Sequence, residues 1–183
     1  SPFVFRAVNR LDRDTSGLVL LAKNPYSSCV LSDAVKDHTI HREYAAIVSG
    51  KTDASGTIDL PIARKDGSTI ERVLDPERGE TAVTHYRTFA YNKNADLSFI
   101  RLLLETGRTH QIRVHMKAIG HPLPGDFLYC PDYRFIDRQP LHSTYLSFSH
   151  PVTGEKLEFS APLPGDMRKL FPNIKDPSGP VFY

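Results

Sequence analysis

Between Arg10 and Gly17 the chain reads Arg-Leu-Asp-Arg-Asp-Thr-Ser-Gly, placing two carboxylates (Asp12, Asp14) and two guanidiniums (Arg10, Arg13) in one short polar loop. Neighbouring positive charge favours the ionised form of a carboxyl group. A charged carboxylate can act as nucleophile, as base, or as stabiliser of positive charge on a sugar. The loop feeds the apolar run Leu18-Val19-Leu20-Leu21-Ala22, and loops carried by a buried scaffold are where sites are often built. An ordinary polar turn accounts for the same composition, because Asn9, Asp12, Asp14, Thr15, Ser16 and Gly17 are all turn formers.

A second cluster runs from Gly107 to His115, Gly-Arg-Thr-His-Gln-Ile-Arg-Val-His. Polar and basic side chains crowd the opening of a helix there, where free backbone N–H groups favour anions such as phosphate. A well-capped surface helix explains it equally. Arg113 stands between Ile112 and Val114, and if buried it needs a carboxylate partner; Asp12 is the partner expected. His110 and His115, five residues apart, do not share a helical face and have no cysteine or carboxylate at ligand spacing, so no metal site is expected. No phosphate-binding P-loop, dinucleotide glycine fingerprint or Gly-x-Ser-x-Gly elbow occurs, and no cofactor is expected. Tyr44 lies in an apolar stretch, where most tyrosines are core residues with a solvated hydroxyl.

The elements that must hold these groups can be read from periodicity. Leu18 to Ala22 has the length of a buried strand. Asn24-Pro25 opens a helix to about His38, with Val30, Leu31, Ala34 and Val35 at helical spacing. Glu43 to Val48 reads as a strand, and Lys51 to Gly79 as hairpins and excursions. Thr81 to Tyr91 and Leu97 to Leu104 form a hairpin. Thr109 to Ile119 is predicted as a helix stopped by Gly120, with an apolar face of Ile112, Met116 and Ile119. Arg108, Gln111 and His115 line one flank, Arg113 and Lys117 the other. Leu146 with Phe148 and Leu157 with Phe159 alternate around a turn, and Met167 to Phe171 is a short helix. Strands outnumber helices and adjoin in hairpins, which predicts an α+β fold with a mostly antiparallel mixed sheet flanked by a few helices and loops.

A chain of 183 residues, 40% hydrophobic, can bury roughly 70% of the surface of its unfolded state, so one self-sufficient domain over 1–183 is expected. Its longest apolar run, Gly17 to Ala22, is far short of a membrane span. No signal peptide opens it, and Cys29 and Cys130 form no metal-spaced pair. Free thiols and cytoplasmic surroundings are the expectation. The net charge of +2 permits a nucleic-acid partner without demanding one.

Taken together, these segments resemble the RluA-type family of RNA pseudouridine synthases. Arg10 to Leu18 resembles the family's catalytic motif, Arg42-Glu43-Tyr44-Ala45-Ala46-Ile47-Val48-Ser49-Gly50 its tyrosine-bearing strand, and Gly107 to His115 its Gly-Arg-Thr-His-Gln-Ile-Arg-Val-His segment. Gly120-His121-Pro122-Leu123-Pro124-Gly125-Asp126 is similar to the loop that follows, and His150 to Glu155 with Ala161 to Pro164 to the C-terminal hairpin. The resemblance implies isomerisation of uridine to pseudouridine in rRNA or tRNA, with no cofactor and no metal. It implies Asp12 as the catalytic aspartate, Tyr44 as the residue packing on the uracil, and Arg113 as the ion-pair partner orienting Asp12. Arg10 is then the group that enters the space left by the extruded base, and extrusion is required because the glycosidic bond of a stacked uridine is out of reach. Arg13, Lys23, Arg42, Arg108, His110 and Lys117 become contacts to the RNA backbone. Asn9 stands where the family has histidine, and Cys130 where glycine commonly follows Tyr129. The family carries a further segment before the catalytic motif, so an N-terminally incomplete catalytic domain, monomeric and without an appended RNA-binding domain, is expected. Two other readings stay open: a non-catalytic RNA-binding module, and a glycosidase using Asp12 with Asp14.

Overall fold

The computed structural model describes residues 4–177 and 179–183. In chain order the elements begin with β1 (Arg6–Ala7), β2 (Ser16–Gly17), β3 (Leu21–Ala22), α1 (Pro25–Lys36) and β4 (His41–Ser49). They continue with β5 (Ser55–Asp59), β6 (Ile62–Arg64), β7 (Arg72–Leu74), β8 (Val83–Asn92) and β9 (Leu97–Leu104). The chain closes with α2 (Gln111–Ala118), β10 (Leu141–Ser149), β11 (Lys156–Ser160) and α3 (Gly165–Leu170). The main sheet has the order β11-β10-β4-β9-β8-β5, antiparallel throughout that path, while β2 joins β10 in parallel. The architecture is α+β with a mixed, mostly antiparallel sheet, as the periodicity predicts.

Strand β4 shows why both faces are covered. Its pleat sends Tyr44, Ala46 and Val48 to one side and Ala45 and Ile47 to the other, and all five are buried. The first side packs with Ile100, Leu102, Ile112, Met116 and Leu141 under α2. The second packs with Phe99, Leu163, Met167 and Phe171 beneath α3. A strand apolar on both faces has no polar alternation, which is why Glu43 to Val48 reads as a continuous run.

Two expectations are corrected. Leu18 to Ala22 is not one buried strand: Val19 and Leu21 are 44% and 45% exposed, and only Leu21–Ala22 pairs, with β1. The backbone partners of this run are split. Leu18 N–H donates to Ser143 O, Leu20 N–H to the Asn9 side chain, and Leu20 O accepts from Val8 N–H. The helix expected from Thr109 begins instead at Gln111, because His110 sits in the left-handed region (φ 58). Gln111 through Met116 are all buried, while Lys117 at the helix's end is exposed. Its end is as expected: Gly120 takes φ +86 and the His121 N–H reaches back to Met116 O at 2.8 Å. Asn24 caps α1 by accepting from Ser27 N–H at 2.8 Å, with Pro25 at the first position.

Candidate active site

The loop from Asn9 to Gly17 is stitched to the segment leading into β10. Gln139 donates to Arg13 O, Arg138 donates to Asp14 O at 3.0 Å, and Ser16 Oγ lies 2.8 Å from His142 Nδ1. At its end Gly17 adopts φ +112, and a Cβ there would collide with the Ser143 backbone. The glycine is therefore required both by conformation and by the close approach of β10. Asn9, in the position where the related motif has histidine, accepts from Leu20 N–H at 2.7 Å and fixes the base of the loop. Leu11 packs into the core beside Tyr44 and Ile112, which leaves Asp12 at the rim with its side chain 18% exposed.

Asp12 meets Arg113 as expected: Arg113 Nη1 donates to Asp12 Oδ2 at 3.2 Å. Arg113 has a second and closer partner that the sequence reading missed. Its Nε and Nη2 donate to Asp126 Oδ2 and Oδ1 at 2.7 and 2.8 Å, a bidentate pair with both side chains almost fully buried. Burial opposes the charge on Arg113, but its two carboxylate partners outweigh that and hold its pKa above the ordinary value. Asp126 Oδ1 also accepts from Leu128 and Tyr129 N–H at 3.0 and 3.1 Å. A signal was available: a buried guanidinium carries five donors, and one rim aspartate does not satisfy them. Asp12 Oδ1 has no hydrogen-bond partner among the described residues, so one carboxylate oxygen remains free to act.

Both aspartates border aromatic surface. The Arg113 guanidinium lies 5.0 Å from the Tyr129 ring centroid and 5.7 Å from that of Phe127, which Arg13 also covers at 5.7 Å. The Tyr129 hydroxyl accepts from Arg72 N–H at 2.8 Å and lies 2.9 Å from His110 Nδ1. The direction of the Tyr129–His110 hydrogen bond follows the tautomer of the His110 ring. Burial pushes the His110 pKa down, against the pull of Asp12, and pushes the Tyr129 phenol up to about 12. Both are neutral at pH 7.

A recess of about 70 Å³ is lined by Arg10, Asp12, Thr15, Arg42, Tyr44, Gly107, Arg108, His110 and Ile112. Tyr44 is 6% exposed, and burial raises its pKa, so it presents an aromatic phenol and not a phenolate. The structure thus brings Asp12, Tyr44, Arg10, Arg42, Arg108 and His110 together around one hollow, with Arg113 reaching it through its contact with Asp12. It does not bring the others there. Arg13 points outward to Asp14, Lys23 is exposed ahead of α1, and Lys117 lies over the outer side of Tyr129 at 5.6 Å. Asp14 is absent from the recess lining. A neighbouring hollow, lined by Arg64, Arg72, Arg78 and Arg108, adds cations from the β6–β7 hairpin. Sequence reading named Arg108 and passed over the other three, which are scattered between residues 64 and 78. Among the described residues no cluster of His, Cys, Asp or Glu could hold a metal ion, and no helix is long and apolar enough to cross a membrane.

Comparison with known proteins gives this geometry its context. Residues 1–118 match the family model described as RNA pseudouridylate synthase. The uncharacterized RNA pseudouridine synthase YjbO of Bacillus subtilis is 51% identical over 164 residues, covering 89% of this chain and 57% of that protein. Ribosomal large subunit pseudouridine synthase D of Zymomonas mobilis is 42% identical over 177 residues, covering 90% and 54%. The chain thus spans little more than half the length of these curated relatives. Among solved structures, human RNA pseudouridylate synthase domain containing 1 superposes with a TM-score of 0.76 at 28% identity, covering 87% of this chain and 69% of that one.

Proposed function

The chain belongs to the RNA pseudouridylate synthase family, and from that premise we propose that it isomerises uridine to pseudouridine in structured RNA, with Asp12 acting on the ribose. The RNA is rRNA or tRNA, and the relative named for the large ribosomal subunit favours rRNA. The observation that carries the proposal is the Asp12 carboxylate, held on one oxygen by buried Arg113 and free on the other, at the rim of a hollow walled by Tyr44.

The reaction breaks the bond between ribose C1′ and uracil N1, turns the base, joins C1′ to C5, and moves the C5 proton to solvent while N1 gains one. Nothing is oxidised or reduced, which suits a site built of carboxylate, guanidinium and phenol. Asp12 supplies the negative charge that the sugar needs as the base departs, either as nucleophile at C1′ or as base at C2′. Tyr44 offers its ring to the uracil, and its raised pKa makes packing its main role. The His110 ring stands on the same wall. Arg10, exposed on the loop, reaches outward into the stack the base leaves. Arg42, Arg108 and His110 contact the backbone nearest the site, and Arg13, Lys23 and Lys117 meet RNA farther out.

Asp12→Asn, nearly isosteric, is expected to abolish tritium release from RNA carrying 5-tritiated uridine, with an unchanged circular dichroism spectrum and melting temperature. Full release by that variant sinks the assignment of Asp12. RNA binding without release by the unsubstituted chain would instead support a non-catalytic module. The glycosidase reading is disfavoured by Asp14, which pairs with Arg13 outside the recess.

A further inference from the structure

Three arginines of the described residues are buried: Arg42, Arg101 and Arg113, at 8%, 0% and 2% exposure. Arg101 donates to Glu43 at 2.8 Å and to Asp176 at 3.1 Å. Arg113 is held by Asp126 and Asp12. Arg42 differs. Its Nε is buried without a hydrogen-bond partner, as is that of Arg101, but among the described residues no carboxylate stands within ion-pair distance of the Arg42 guanidinium. A buried, uncompensated cation is costly, and a protein that keeps one must offset it with something else.

The surroundings say what that is. Arg42 lies on β4 two residues before Tyr44, so the pleat sends both side chains to the same face. Both line the recess that holds Asp12. The Arg42 guanidinium rests against Gly107: a Cβ there would lie 3.2 and 3.3 Å from its two terminal nitrogens. The missing side chain leaves the fork open on the side of the hollow. Arg10 and Arg108 stand on the same walls, so the local charge has room for an anion. A uracil carbonyl is a neutral acceptor and would leave the charge uncompensated. A phosphate matches both the charge and the planar fork of donors.

We propose that Arg42 is the anchor for a phosphate of the target nucleotide itself, on the ribose whose C1′ faces Asp12. The anchor rests on the nucleotide-binding part of the function proposed above, since it assumes that a uridine enters this hollow. The buried charge is then complete only in the RNA complex, and base entry and charge compensation occur together.

The probes are uridine, uridine 5′-monophosphate and uridine 3′-monophosphate, titrated into the chain by NMR or calorimetry. The unsubstituted chain is expected to bind one of the two monophosphates about 10- to 100-fold more tightly than uridine, the range of a charge-assisted contact, and the one preferred tells which phosphate is held. Arg42→Met, which keeps the aliphatic stem, is expected to bind all three alike and to melt at the same or a higher temperature, because an unpaired buried charge is gone. Arg42→Lys, with charge but no fork, is expected to keep part of the preference. Equal binding of the three probes by the unsubstituted chain overturns the inference, as does a preference surviving in Arg42→Met. So does an Arg42→Met chain that fails to fold, because that would make Arg42 a structural group. Tritium release is read separately: a chain that discriminates phosphate but makes no pseudouridine loses the reaction and keeps the anchor, and the reverse result loses only the anchor.

Discussion

Arg113 meets two carboxylates that do different work. Asp126 takes two of its nitrogens in a buried bidentate contact, and Asp12 takes one at 3.2 Å near solvent. The three groups together carry a net charge of −1, so the arginine orients Asp12 without cancelling it. Removing one partner of a buried pair costs about 3–5 kcal/mol, and here the lower end applies because Asp12 remains. Asp126→Asn is therefore expected to lower the unfolding free energy in urea by about 3 kcal/mol. With the Asp126 charge gone, Arg113 falls wholly to Asp12, and tritium release at saturating RNA should drop about tenfold or more through mispositioning and lost nucleophilicity. A loss of stability with full turnover would reduce Asp126 to a structural role. The Asp12–Arg113 contact was legible in the sequence because a charged residue between Ile112 and Val114 demands a partner. Asp126 was not, because an aspartate after Pro124-Gly125 has the composition of any turn.

At the scale of elements, the site depends on how a short loop is pinned to a long strand. Gly17 runs close against the Ser143 backbone at φ +112, where β2 pairs in parallel with β10. Gly17→Ala combines a strained backbone with a collision, and is expected to cost about 3 kcal/mol or more and to lower activity with it. Retained stability in a thermal melt would show that the loop is not anchored there. Strand β4 carries a second anchor on its far face. Glu43, fully buried, accepts from Arg101, from His41 and from the N–H groups of Val181 and Phe182. Burial opposes its charge, but those donors outweigh it and hold its pKa below the ordinary value. Glu43→Gln should release the C-terminal segment, seen as faster amide exchange at Val181 and Phe182, and cost about 3 kcal/mol. Unchanged exchange there would break the link. The main strands and α1 were legible because their patterns are local: a capped start at Asn24, a two-sided apolar run at β4, a hairpin at Asn92 to Asp96. The run from Leu18 to Ala22 misled because its backbone partners lie in three places, and no apolar count reveals that. The start of α2 misled because His110 ties its ring to Tyr129, nineteen residues away, and bends the chain to do so.

For the whole molecule, two buried histidines and the half-buried His110 bind loops and sheet together as neutral rings. His115 is fully buried between Thr84 Oγ1 and Leu60 O, each at 2.9 Å. His142 joins β10 to Ser16 in the Asn9–Gly17 loop and faces Ala161 O, and His110 stands at the recess. In each case burial is the largest influence and pushes the pKa below the ordinary value. Between the folded and unfolded values the unfolded chain binds more protons, so stability rises with pH across that window. It is fully present above about 6.5, the unfolded value, and is lost as pH falls toward the folded values. Each histidine contributes a slope of up to about 1.4 kcal/mol per pH unit inside its window. Glu43, with its pKa held down, adds a second loss at lower pH, below about 4.3. Urea midpoints measured from pH 8 to 4 should therefore be level above neutrality and fall from about pH 6.5, well before the carboxylates titrate. His142→Gln should make the decline between pH 6.5 and 5 shallower, because one of the three proton uptakes on unfolding is gone. Midpoints level from pH 7 to 5 would mean that these rings take up protons in the folded chain as readily as in water, contrary to their burial.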